Sequence, residues 1–186
     1  MRKEAGFTLI ELLSAMALAA ILMTLGASGL RQYWLVRSLD AAGGEVSSEL
    51  RLLQQRAASE SSPVLFGASF RPGTTSWKTF RYSMGANISD AADDTCVALT
   101  NGTLSTGVTV LATTAFAASS QVSSGKLSAG CGVLSTDKVT VFFPKGSATS
   151  GHLDLQQPSL GRSTAVCVSP LTSRVFKATI EEAASC

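Results

Sequence analysis

The chain has 186 residues, and its 15 Lys and Arg against 13 Asp and Glu leave a net charge of +2, too weak a field to argue a nucleic-acid partner from charge alone. That length fits one modest domain plus any apolar segment standing apart from it. The composition is 45% hydrophobic but only 6% aromatic and 15% charged, with Ala, Val and Leu diluted by Ser, Thr and Gly, as suits an exported β-rich domain.

The chain opens on a short basic head, Arg2 and Lys3, followed by Gly6. From Phe7 to Leu30 the only charged residue is Glu11. Leu, Ala and Met, all strong helix formers, dominate this run. A helix over it is roughly 36 Å long, enough to cross a hydrocarbon core of about 30 Å. A secretory signal is cut after its apolar region, and no such site follows Leu30, so the helix is expected to be retained. A carboxylate inside a membrane helix costs about 2.5–3.5 kcal/mol on insertion scales, so Glu11 calls for a partner or a function. The bland alternative is a signal anchor with a stray acid near its cytoplasmic end.

The stretch from Arg2 to Leu13, with Gly6-Phe7-Thr8-Leu9-Ile10-Glu11 at its centre, resembles the class III signal of type IV pilins and type II secretion pseudopilins. The resemblance implies that a prepilin peptidase cuts after Gly6 and that Phe7 is then N-methylated. It further implies that Glu11 pairs with the new amine of Phe7, in its own subunit or in a neighbour during filament assembly. The presence of Glu11 argues against the tip type of pseudopilin, which lacks this acid. The leader, residues 1–6, holds two cations and one anion, so its removal would lower the net charge from +2 to +1.

Residues 31–62 continue the helix in another register. Leu39, Ala42, Val46, Leu50, Leu53 and Ala57 recur at steps of three and four and make one apolar stripe, expected to lie on a sheet. Arg37, Asp40, Glu45, Glu49, Arg51 and Arg56 fall mostly off it. Gly43-Gly44 and the Gly26/Ser28/Gly29 group are two weak points; major pilins often carry a proline near the second. Pro63 should end the helix by Ser62. The stretch Leu50 to Val64 is similar to the helix end and first strand of the GspH/FimT group of minor pilins and pseudopilins.

From Val64 onward short strands and turns are expected: 64–66, an alternating Phe80/Tyr82/Met84 strand, 96–99, 108–111, 138–143, 153–155, 164–168 and 174–180. Asn101-Gly102 reads as a hairpin turn. Residues 112–136 read as a variable loop with one edge strand. The segments "VTVFFPKGSA", "HLDLQQ", "RSTAVCVS" and "SRVFKATI" resemble the C-terminal half of the GspH/FimT domain. The expected fold is α+β, a type IV pilin fold, with a long N-terminal helix packed on an antiparallel β domain over 63–186.

Cys96, Cys131, Cys167 and Cys186 all follow the apolar run, and four cysteines in an exported domain point to two disulfides with three possible connectivities. The shortest un-nested loops are Cys96–Cys131 and Cys167–Cys186. The absence of a CxxC pair and a single histidine argue against a metal site, and no cofactor is expected. His152 and Asp154 share one side of a strand, as a catalytic pair or as a polar strand face. Asp90, Asp93 and Asp94 are a calcium loop or a solvated turn. Asn87 and Asn101 open glycosylation sequons that carry little weight in a bacterial context.

Relatives that bind DNA resemble one another in a C-terminal Gly-Arg-x-Arg motif; here the corresponding residues are Ser173-Arg174-Val175-Phe176, with Lys177 next and Arg162 in the preceding loop. Arg162, Arg174 and Lys177 are the candidate phosphate contacts, but the glycine and the second arginine are replaced, and no DNA binding is expected at physiological salt. The expected function is a non-enzymatic filament subunit, a minor pilin, with the H-type pseudopilin of a type II secretion system as the alternative. Its expected partners are prepilin peptidase, other pilins and the assembly platform of the bacterial inner membrane.

Overall fold

A computed structural model describes residues 8–60, 64–85, 94–118, 130–169, 172–183 and 186. A long helix, α1 (Leu9–Ser59), leads, among the described residues, into the strands β1 (Val64–Phe70), β2 (Ser76–Ser83), β3 (Thr95–Thr103), β4 (Thr109–Val110), β5 (Ala117–Ala118), β6 (Lys138–Phe142), β7 (Gly151–Gln157), β8 (Arg162–Val168) and β9 (Val175–Ala178). A last short helix, α2 (Ile180–Ala183), follows. The strands form two antiparallel sheets, ordered β3-β2-β1-β6-β5 and β4-β7-β8-β9. The chain is therefore α+β, with the helix-on-sheet architecture of a type IV pilin fold.

The second half of α1 holds the two sheets together. Leu39, Ala42, Val46, Leu50, Leu53 and Ala57 are all buried, while Arg37, Asp40, Glu45, Arg51 and Arg56 are exposed. These six join Val64, Phe66, Phe70 and Trp77 of the first sheet and Leu153, Leu155, Val166, Val168 and Val175 of the second in one core. One stripe thus lies across both sheets. Gly43-Gly44 and Gly26/Ser28/Gly29 do not interrupt the helix. An added Cβ on Gly43 would lie 3.3 Å from the Lys177 side chain, so small size lets β9 approach there.

Each sheet carries a smaller core on its outer face. Cys131 and Val133 cover Phe80, Tyr82, Val139 and Val141 of the first sheet, and the disulfide Cys96–Cys131 holds that cover down. The part of the expected loop over 112–136 that is described is thus a packing element, with β5 as its edge strand. Buried Asp137 fastens its end, accepting from Arg71 Nε at 3.1 Å and from the Leu134 backbone N–H at 2.9 Å. On the second sheet, Ala183 packs on Ala165, Cys167 and Ala178, and the disulfide Cys167–Cys186 ties down the chain end.

Three sequence expectations are corrected. Asn101-Gly102 is not a turn but lies inside β3, where Gly102 pairs directly with Trp77. The Trp77 indole lies across it: a Cβ on Gly102 would meet the ring at 2.2 Å. Gly67 serves Phe80 in the same way from the other neighbouring strand, at 2.5 Å. The glycine is there for an aromatic ring rather than for a turn. The last strand stops at Ala178, because Thr179-Ile180-Glu181-Glu182 is a capping box. Thr179 N–H donates to Glu182 Oε2 at 2.9 Å, and Glu182 N–H donates to Thr179 Oγ1 at 3.4 Å. Arg162 is not in a loop but is the first residue of β8.

Candidate functional site

The first half of α1 stands clear of the β domain along its apolar window, none of which is buried. Thr8 caps the helix, its side chain accepting from Glu11 N–H at 3.4 Å and its carbonyl from Glu11 and Leu12 N–H. Glu11 thus sits in the first turn, where the unpaired N–H groups of the helix favour a negative charge. Gly6 and Phe7, the expected cleavage and methylation residues, lie outside the described residues. Leu9, Ile10, Met16, Leu18, Ile21, Leu22, Met23 and Leu30 are all exposed. Among the described residues α1 is the one helix long and apolar enough to cross a membrane, and its apolar window is unburied. So large an apolar surface requires lipid or neighbouring helices around it.

The other candidate residues are dispersed. Arg174 stacks over the Phe176 ring at 5.8 Å. Its carbonyl accepts from Ser169 N–H just past the end of β8. Lys177 is paired with Asp40 of α1. Arg162 begins β8 at the opposite end of that strand, roughly 20 Å from Arg174 at about 3.3 Å per residue. The three cations do not share one patch. Arg51, read from the sequence only as a charge off the apolar stripe, lies with Arg174, Gln54 and Thr172 around a small groove and donates from Nε and Nη2 to the Val175 carbonyl. That commits Arg51 to holding β9 on α1.

His152 Nε2 and Asp154 Oδ2 are 3.6 Å apart. Asp154 is only 2% exposed, so the polar face it makes with His152 on β7 is largely buried. Its Oδ2 accepts from Thr113 Oγ1 at 2.6 Å, and its backbone N–H donates to Thr114 Oγ1 at 3.2 Å. The carboxylate and the backbone N–H of Asp154 together stitch residues 113–114 to β7. Asp94, the described member of the acidic run, accepts from Tyr82 Oη and, at 2.8 Å, from the Gly85 N–H, closing the base of the β2–β3 connection. Asp90 and Asp93 lie outside the described residues, as does Asn87. Among the described residues no group of three or more His, Cys, Asp and Glu could hold a metal ion.

Residues 1–27 match the family model of the prokaryotic N-terminal methylation motif, and residues 42–172 match that of the type II transport protein GspH. The two matches cover the bare half of α1 and most of the β domain. No curated protein and no solved structure matches the chain.

Proposed function

The chain belongs to the type II transport protein GspH family and carries a prokaryotic N-terminal methylation motif, and from that premise we propose that it is a minor pilin, a structural subunit of a type IV pilus and not an enzyme. It is a pilin or pseudopilin in either case. The observation that carries the proposal is the division of α1: an unbroken helix whose first half carries an apolar, unburied window and whose second half is the spine of a folded domain. Such a helix can sit in the inner membrane with its β domain outside the cytoplasm, then exchange lipid for neighbouring helices in a filament. Prepilin peptidase cuts after Gly6, the Phe7 amine is methylated, and Glu11 neutralises that amine within the helix core. Residues 7–30 serve as anchor and filament core, and residues 31–62 carry the β domain of 63–186.

Mass spectrometry of the mature protein is expected to find an N-terminus at methylated Phe7; an N-terminus at Met1, or one beyond Leu30, would overturn the proposal. A second reading, a minor pseudopilin of a type II secretion system, is favoured by the description of the family model matching residues 42–172. Deletion separates the two. Loss of surface pili with secretion intact supports the minor pilin; retention of secreted proteins in the periplasm with pili intact supports the pseudopilin.

A further inference from the structure

The exposed apolar half of α1 ends at Leu30, and the next turns change character at once. Arg31, Tyr33, Trp34 and Arg37 follow, all exposed, Tyr33 to 58% and Trp34 to 64%, with the two rings edge to face at 6.3 Å. Between Glu11 and Asp40 the helix carries no acid, and Asp40 is itself paired with Lys177. Two loops of the β domain come down beside these turns. The β7–β8 tip brings Ser159 and Leu160 against Ser28, Arg31 and Leu35, leaving an open groove of about 310 Å³. Ser105 and Thr106 face Trp34, Arg37 and Ser38 across a larger one of about 720 Å³. Neither loop holds an acid, and Arg162 follows the β7–β8 tip directly. Gln157 fixes both loops to the helix, donating from Nε2 to Ser38 Oγ at 3.3 Å and to the Thr106 carbonyl at 3.4 Å. The result is a collar around α1 with aromatic rings, cations and two clefts.

We propose that this collar, made of Arg31, Tyr33, Trp34, Arg37, Leu160 and Arg162, seats on the phospholipid headgroups of the outward-facing leaflet and sets the depth of the subunit before assembly. The inference rests on the reading of α1 as a membrane-spanning helix. From Leu9 to Leu30 the helix is about 33 Å long, close to one hydrocarbon thickness, so the collar falls at the headgroup level. Trp and Tyr favour that level because their rings are apolar and their N–H and O–H groups still reach water. The Arg guanidinium binds phosphate through two parallel N–H bonds. A filament neighbour would answer the rings equally well but not three cations whose neighbouring acid, Asp40 in the larger cleft, is already paired with Lys177.

The test uses the full-length chain reconstituted in vesicles of phosphatidylethanolamine and phosphatidylglycerol, with acyl chains brominated near the headgroup or near the chain end. The Trp34→Phe variant emits from buried Trp77 alone, so subtracting its spectrum from that of the unaltered chain gives the emission of Trp34. The Trp34 component is expected to lose more intensity to shallow bromines than to deep ones. The difference should shrink when phosphatidylglycerol is omitted, or in the Arg37→Gln/Arg162→Gln double variant. A chain that resists alkaline extraction while its Trp34 is quenched by aqueous acrylamide and not by brominated lipid would overturn the collar and leave the spanning helix standing. Shielding of Trp34 that appears only at high protein-to-lipid ratio would assign the surface to a second copy and also overturn it. Release of the chain by alkaline wash would remove the spanning helix, and the collar with it.

Discussion

Ser173 is buried and adopts φ 51°, a left-handed conformation that favours glycine. It tolerates the strain because its Oγ donates to the Gly146 carbonyl at 2.7 Å, tying the β8–β9 connection to the turn after β6. Ser173→Gly exchanges that bond for relaxed backbone and should change stability little. Ser173→Ala keeps the strain and loses the bond, and should cost about 1–2 kcal/mol in urea unfolding. Equal stability of the two variants would contradict this account. Gly102 is held to glycine by a neighbour instead: Gly102→Ala must push the Trp77 ring or bend β3, with an expected cost of about 1–3 kcal/mol. At the other end of the chain, Glu11→Ala removes the one charge of the proposed membrane helix and should leave insertion and cleavage intact. Under the proposed pairing of Glu11 with the Phe7 amine, its incorporation into filaments, read by immunoblot of sheared fractions, should fall.

Among the elements, α2 is the least self-sufficient. It is four residues long, held by the Thr179/Glu182 capping box at one end and by the Cys167–Cys186 disulfide beyond the other. The Glu182 carboxyl is held below its ordinary value by the bond from the Thr179 backbone N–H first, and by the Thr179 side chain second. A lowered folded-state value means that the cap contributes above the ordinary glutamate range and is lost as pH falls through the depressed value. The protection of the Thr179 and Glu182 amides, taken against their intrinsic exchange rates at each pH, should fall on acidification, and Glu182→Gln should remove that dependence. Removing the tie with Cys186→Ser should lower unfolding stability by about 2–4 kcal/mol. The stripe of α1 was legible in the sequence because helical period and burial coincide there, from Leu39 to Ala57. The Gly102–Trp77 contact was not, since residues 25 positions apart meet only once the sheet has formed, and an Asn-Gly pair looks the same in a strand as in a turn. The Thr179-x-x-Glu182 box was local and readable, but the apolar alternation before it masked it. Of the candidate phosphate contacts, sequence proximity concealed that β8 separates Arg162 from Arg174 and that Asp40 already engages Lys177.

For the whole molecule, the candidate phosphate contacts form no common surface: Lys177 is paired with Asp40, and Arg162 stands the length of β8 away from Arg174. A domain beginning at Arg31 should therefore give no band shift with duplex DNA at physiological salt. With a slope of only about −0.9 per phosphate contact, a few scattered cations cannot sustain binding there. A salt-sensitive shift abolished by Arg174→Ala would reverse this. The two disulfides, finally, lie on the outer faces of the two sheets, and neither reaches α1. Traction on the β domain, such as extraction from a bilayer would require, therefore enters the helix through one covalent route, the backbone leaving the end of α1. The rest passes through the polar ties of Arg51, Asp40 and Ser38 and, above all, through the interdigitated stripe from Leu39 to Ala57. Pulled lengthwise, that stripe is in shear, so all six side chains must slide together. The covalent bridges harden the weather side of the subunit, while its tensile limit is set by a row of methyl groups.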